Sequence, residues 1–217
     1  MKKLFIIVAI VFISTTAFAQ FGITGGATLA SVKIEDQTSS LNQSTDSKLG
    51  FTAGVFTSFP LSTNFIFRPG LNYTQKGGKV NETEGTLTSE SKITLNYIEL
   101  PLDFIYKAAG GFFVGAGPAL AYGLSGKTKY SITGGVLPGQ NTSGEDKINF
   151  GSDANNDDLK RFEFSGNLLA GYQLSNGIFL SVNYNLGFSD LSLDNDITFK
   201  NRYFGIRLGY MLGGAGE

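Results

Sequence analysis

The chain has 217 residues, with 17 lysines and arginines against 18 aspartates and glutamates, and it contains neither cysteine nor histidine. Balanced charge offers nucleic acid no field to bind. The two missing residue types exclude disulfides, thiol nucleophiles, imidazole bases and ordinary Cys/His metal sites. Twenty-nine glycines, 19 phenylalanines, 9 tyrosines and only 5 prolines suit one domain of curved β-structure.

The chain opens with Lys2 and Lys3, an uncharged apolar run over residues 4–13, and then Ala17-Phe18-Ala19. This pattern predicts a secretory signal peptide over residues 1–19, cleaved before Gln20, with a single domain over 20–217. The apolar run is too short for a membrane helix, which needs about 20 residues. No later stretch comes near that length, so a membrane crossing by the mature chain has to use strands.

Residues 21–33 alternate weakly and predict a first strand; 34–47 read as a polar loop. Residues 48–59 place Phe51, Ala53, Val55, Thr57 and Phe59 on one face, before a tight turn at Pro60-Leu61-Ser62-Thr63. In 64–76, Phe65, Phe67, Leu71 and Tyr73 alternate with Asn64, Arg68, Asn72 and Thr74. Residues 77–89 are polar and read as a loop. The fourth strand, from about Glu90 to Tyr106, is the clearest. Ile98, Leu100, Leu102, Phe104 and Tyr106 form one side, and Tyr97, Glu99, Pro101 and Asp103 the other.

A short turn at 107–110 leads to a fifth strand. Phe112, Val114, Ala116, Pro118, Leu120, Tyr122 and Leu124 there oppose a mostly Gly/Ala face. Residues 129–158 read as the longest irregular segment. Arg161–Leu174 and 178–188 alternate strongly on either side of Ser175-Asn176-Gly177, which carries the Asn-Gly hairpin signature. Residues 189–196 form a loop, and 197–210 the last strand.

Eight strands result, with long polar connections after strands one, three, five and seven and minimal turns after two, four and six. That rhythm predicts an all-β fold, an eight-stranded antiparallel transmembrane β-barrel of outer-membrane type with both termini periplasmic. A soluble periplasmic ligand-binding barrel has the same strand count and turns its apolar face inward. Strand length, aromatic residues at strand ends (Phe59, Tyr73, Tyr106, Tyr122, Tyr172, Tyr210) and buried-face charges favour lipid outside.

Arg68, Glu99, Asp103, Glu163 and Arg207 all fall on polar faces. The lumen of an eight-stranded barrel is narrow enough for side chains to fill, so these residues are candidates for interior ion pairs, with the two arginines as the cations. No catalytic residue, cofactor or metal is predicted. Serine is plentiful, but no histidine can activate it. Asp153, Asn155, Asn156, Asp157 and Asp158 have a calcium-like composition without the order of a calcium loop, and read as a solvated loop. Gly22-Ile23-Thr24-Gly25-Gly26 lies in a strand and is no phosphate loop.

Asn96-Tyr97-Ile98-Glu99-Leu100-Pro101, Gly115-Ala116-Gly117-Pro118, Ala170-Gly171-Tyr172, Tyr184-Asn185-Leu186-Gly187 and the ending Lys200–Tyr210 resemble the PorT-like outer-membrane barrels of Bacteroidota. The resemblance spans the mature chain. It implies an outer-membrane barrel, an association of some relatives with protein secretion and gliding, and no catalytic residues. The expected function is a non-enzymatic, monomeric integral barrel with a filled interior and exposed outer loops, in a structural or interaction role. Its expected partners are outer-membrane lipid, the barrel assembly machinery during insertion, and envelope or secretion proteins. The alternatives are an accessory of protein secretion or a narrow transport pore.

Overall fold

The computed structural model describes residues 20–36, 41–134, 141–194 and 196–212. The predicted signal peptide and the tail after Leu212 lie outside the described residues. Eight strands make the wall: β1 (Gln20–Asp36), β2 (Lys48–Pro60), β3 (Phe65–Glu84), β4 (Leu87–Lys107), β5 (Phe112–Thr133), β6 (Phe162–Gln173), β7 (Ile178–Gly187) and β8 (Ile197–Leu212). Each is antiparallel to its sequence neighbour. β1 pairs with β8, for example Ala27 with Ile206, and β6 pairs with β5, so the ring closes without an edge.

Alternation fixes which side of the wall is which. Leu100, Phe104, Leu120, Leu168, Leu180, Ile206 and Leu208 are all exposed on the outside, while the residues between them point inward and are buried. This corrects the soluble-barrel alternative, which needs its apolar side chains inside. Rings pair across strands at both rims of the apolar band. Phe65 with Tyr106 and Phe112 with Tyr172 lie near the short turns; Phe51 with Tyr73 and Tyr122 with Phe162 lie at the far rim. Amphipathic rings at both edges of an apolar band are what two membrane–water interfaces select.

The first and last described residues share one end with the turns at 61–64, 108–111 and 174–177. Gly177 has φ 86°, the left-handed conformation that the Asn-Gly turn requires.

Three expected loops hold strand: within 34–47, β1 runs on to Asp36 and Leu41–Ser44 pairs with it. Residues 77–89 continue β3 and β4 as a ladder from Gly77 opposite Thr94 to Glu84 opposite Leu87. Residues 129–133 prolong β5, and Thr142–Ile148 pairs with it from Ile132 to Gly126. Their side chains are polar because the ladder has left the apolar band, and backbone pairing asks nothing of side chains in water. β3, β4 and β5 therefore reach 20, 21 and 22 residues, about twice the 9–11 needed to cross a membrane. They project as a sheet beyond one rim.

Candidate functional site

The lumen is built in layers. At the turn end, Phe56, Ile105, Phe113, Phe179 and Met211 form an apolar plug, with Ile66 and Leu169 packed against it. At the other end Leu95, Tyr97, Ala121, Phe150, Leu159 and Leu191 form a second, with Ile93, Ile148 and Phe199. Phe150, Leu159 and Leu191 come from the connections rather than the wall. Small residues on β5 make room for them: a Cβ on Gly123 would stand 2.6 Å from the Phe150 ring.

Between the plugs lies a charged centre, and its hub is Lys76. The Lys76 ammonium is fully buried and sits 2.9 Å from both Glu99 Oε2 and Glu163 Oε1. Tyr203 donates to Glu99 Oε1 at 2.7 Å, and Arg207 Nη2 donates to the Tyr203 oxygen at 3.0 Å while standing 3.9 Å from Glu99. Asn201 Nδ2 donates to Glu163 Oε2 at 2.9 Å and reaches the Tyr97 oxygen at 3.3 Å. The tyrosine rings flank the ammonium, with centroids at 5.1 and 5.4 Å. Glu99 Oε2 meets the ammonium's charge outside hydrogen-bonding geometry.

The five sequence-predicted residues thus separate. Glu99, Glu163 and Arg207 share one network, but the cation at its centre is one that sequence reasoning missed. Lys76 keeps the parity of Arg68, Asn72 and Thr74 on β3, and that parity was the available signal. Asp103 accepts from Asn167 Nδ2 at 2.9 Å, and no cation lies within 4.0 Å of it among the described residues.

Arg68 corrects the expected pairing. It stands opposite Asp103 in the ladder, yet its Nε donates to Ser58 Oγ at 3.0 Å. Its guanidinium lies over Phe56, Phe113 and Phe179, at 4.8, 5.6 and 5.4 Å. Asp103 enters the lumen at the same level, but the Arg68 side chain is turned into the rings of the turn-end plug.

Arg68, Asp103, Arg207, Asn72 and Asn183 help line a cavity of about 40 Å³. Arg207 Nε, Asn72 Oδ1 and Asn183 Oδ1 are buried without protein partners, and the space suffices for about three waters. It is far below the several hundred Å³ of a typical ligand pocket.

In the connection after β5, the acidic residues are engaged with one another and with the backbone. Asp153 accepts from the Asn155 amide at 3.0 Å and from Asn156 Nδ2 at 2.6 Å. Asp157 accepts from the Asp153 amide at 3.0 Å and Asp158 from the Asn149 amide at 2.7 Å. Hydrogen bonding to the Asn156 side chain and then the Asn155 backbone holds the Asp153 carboxyl below its ordinary value.

A model of the family described as outer membrane protein beta-barrel domain matches residues 14–193. The chain belongs to that family. The match stops short of β8, the strand that closes the ring in this outer-membrane barrel. Among solved structures it resembles Ail, the attachment invasion locus protein of Yersinia pestis, at 14% identity and TM-score 0.40, covering 90% of this chain and 99% of that one. Neisserial surface protein A matches at 12% identity and TM-score 0.43, covering 88% and 97%. The outer membrane protease OmpT of Escherichia coli matches at 10% identity and TM-score 0.33, covering 91% and 98%. Identities this low tie the barrel to none of their activities. No curated protein matches the chain in sequence.

Proposed function

We propose that this outer-membrane barrel is sealed and non-enzymatic, and that it acts through the sheet it projects beyond the membrane. In this reading residues 1–19 are a signal peptide removed on export, and the turn end with both termini faces the periplasm. The barrel assembly machinery inserts the chain, which stays monomeric in outer-membrane lipid. The filled lumen carries the proposal. Two apolar plugs enclose the Lys76–Glu99–Glu163 centre, and the cavity beside it is only about 40 Å³. Solutes have no path at that size, and the buried carboxylates have no cleft through which to meet a substrate. Planar-bilayer recordings test it: the reconstituted barrel is expected to give no reproducible conductance, and regular channel steps would overturn the sealed reading.

Support of protein secretion is the second reading, and its basis is the PorT-like run Asn96–Pro101 on β4. Affinity capture of the tagged barrel from membranes separates the two. Stoichiometric recovery of export components favours secretion, and their absence favours the self-contained barrel.

A further inference from the structure

Above the apolar band, the outward face of the projecting sheet changes character within three rows. The last apolar row pairs Ile98 with Tyr122. Next comes an uncharged row, where Gln75 Nε2 donates to Asn96 Oδ1 at 3.1 Å and Asn96 Nδ2 to Ser125 Oγ at 3.0 Å. The two rows beyond it are basic. Lys127 stands opposite Lys147, and Lys79, Lys92 and Lys129 stand directly opposite one another across β3, β4 and β5, ending at Glu145. Ladder partners share a face, and it is the outer one, because Leu95, between Thr94 and Asn96, is fully buried in the lumen.

Like charges directly opposite in a ladder are destabilising. Three lysines in one row therefore need a counter-charge, and the protein supplies too little. Glu145 is shared by Lys127 and Lys129, at 3.3 and 3.2 Å, and Glu90 reaches Lys79 only at 4.0 Å. Asp46, at the sheet's near side, accepts from Asn81 instead. Lys92, with a lysine on each side, has no carboxylate within 4.0 Å among the described residues. At 3.3 Å per residue the two basic rows lie roughly 13 and 20 Å along the strands from Ile98. A tilt near 40° lowers that to about 10 and 15 Å above the band. Flexible lysine stems reach back toward the surface from such heights.

We infer that Lys79, Lys92 and Lys129, with Lys127 below them, bind the phosphate groups of phosphorylated glycolipid headgroups packed around the barrel in the outer leaflet. The inference rests on the orientation proposed above, with the projecting sheet external. The charge and the height select the ligand together, since a row placed for a soluble polyanion gains nothing from lying beside the lipid band. The site holds the surrounding lipid to one side of the barrel.

The test is a titration of the folded barrel, in neutral detergent, with monophosphoryl lipid A and with its dephosphorylated form. The phosphorylated lipid is expected to bind more tightly, with an affinity that falls as salt rises. Replacing Lys79, Lys92 and Lys129 together by glutamine should weaken it about a hundredfold, at about fivefold per lysine near an anionic surface. The corresponding triple arginine variant should retain it, as should Lys107→Gln at the turn end. Circular dichroism checks that each variant is folded. Equal binding of the two lipids, or an unchanged triple glutamine variant, overturns the inference. So does a soluble polyphosphate that binds as tightly as the lipid. Protease access to the sheet on intact cells tests the orientation separately, because the titration is indifferent to it.

Discussion

Lys76 Nζ on β3 lies 2.9 Å from Glu163 Oε1 on β6, an ion pair that crosses the lumen between strands three places apart in the ring. The same ammonium neutralises Glu99 on β4, the strand next to its own. One cation thus serves two buried carboxylates from strands two places apart in the wall.

Removing that cation should be costly. Lys76→Met leaves Glu99 with Arg207 at 3.9 Å and Glu163 with only Asn201, both carboxylates still buried. Breaking a buried pair from one side costs about 3–5 kcal/mol. Urea unfolding of the barrel in lipid vesicles is expected to show a loss of that order. Adding Glu163→Gln to Lys76→Met should recover part of it. A wild-type midpoint for Lys76→Met would mean that the centre contributes nothing to the fold.

The plug at the sheet end is held by Arg161. Its Nε donates to the Phe150 carbonyl at 3.0 Å, its Nη2 donates to the same oxygen, and its Nη1 reaches the Tyr122 hydroxyl at 3.1 Å. Hydrogen bonds from a charged donor contribute about 1.5–3 kcal/mol each. Arg161→Ala should therefore free the segment around Phe150 without unfolding the wall. Hydrogen exchange over residues 149–160 is expected to quicken at least about tenfold, with β6 and β7 amides unchanged. Unaltered exchange in that segment would show that Phe150 stays in place without the arginine.

Outside the membrane, Glu145 gives the projecting sheet a pH response. Hydrogen bonds from Lys129 and then Lys127 hold its carboxyl below the ordinary glutamate value of 4.5. A depressed carboxyl stabilises the paired state above the unfolded value, and the contribution is lost as pH falls through the folded one. The pairing of Thr142–Ile148 with β5 should thus be indifferent to pH from 8 down to about 5 and loosen only in more acid solution. Carbon NMR of the carboxyl is expected to titrate below 4.5 in the wild type and to return toward that value when Lys127 and Lys129 are both glutamine. A wild-type midpoint at or above 4.5 contradicts the assignment.

The wall was legible because lipid on one side and a packed lumen on the other force alternation. Ile98 to Tyr106, Arg161 to Leu174 and 178–188 carry that period without a break. Beyond the band the outer face of the sheet turns polar and the inner face is only partly apolar. Residues 77–89, 129–133 and 142–148 lost the signal there while keeping their ladders. Parity sorted the side chains onto two faces but carried no height. It put Arg68 and Glu99 on inner faces without saying that rings surround the first and Lys76 the second. Lys76 and Glu163 are 87 positions apart, and only closure of the ring brings them together.

The same difference in height separates the two cations of β3 experimentally. Arg68 is buried among Phe56, Phe113 and Phe179, with Ser58 as its hydrogen-bonded neighbour and no carboxylate within 4.0 Å among the described residues. Replacing it by methionine removes a cation–π contribution of about 2 kcal/mol. It also removes the several kcal/mol of desolvation that a buried charge costs, and puts a flexible thioether against aromatic rings. These terms oppose each other, so Arg68→Met is expected to stay within about 1 kcal/mol of the wild type where Lys76→Met loses several. Asp103 keeps its hydrogen bond from Asn167 in that variant. Parallel unfolding of the two methionine variants decides the matter. Equal losses would mean that Arg68 and Asp103 act as a pair despite their distance, and that the lumen holds two ionic centres instead of one.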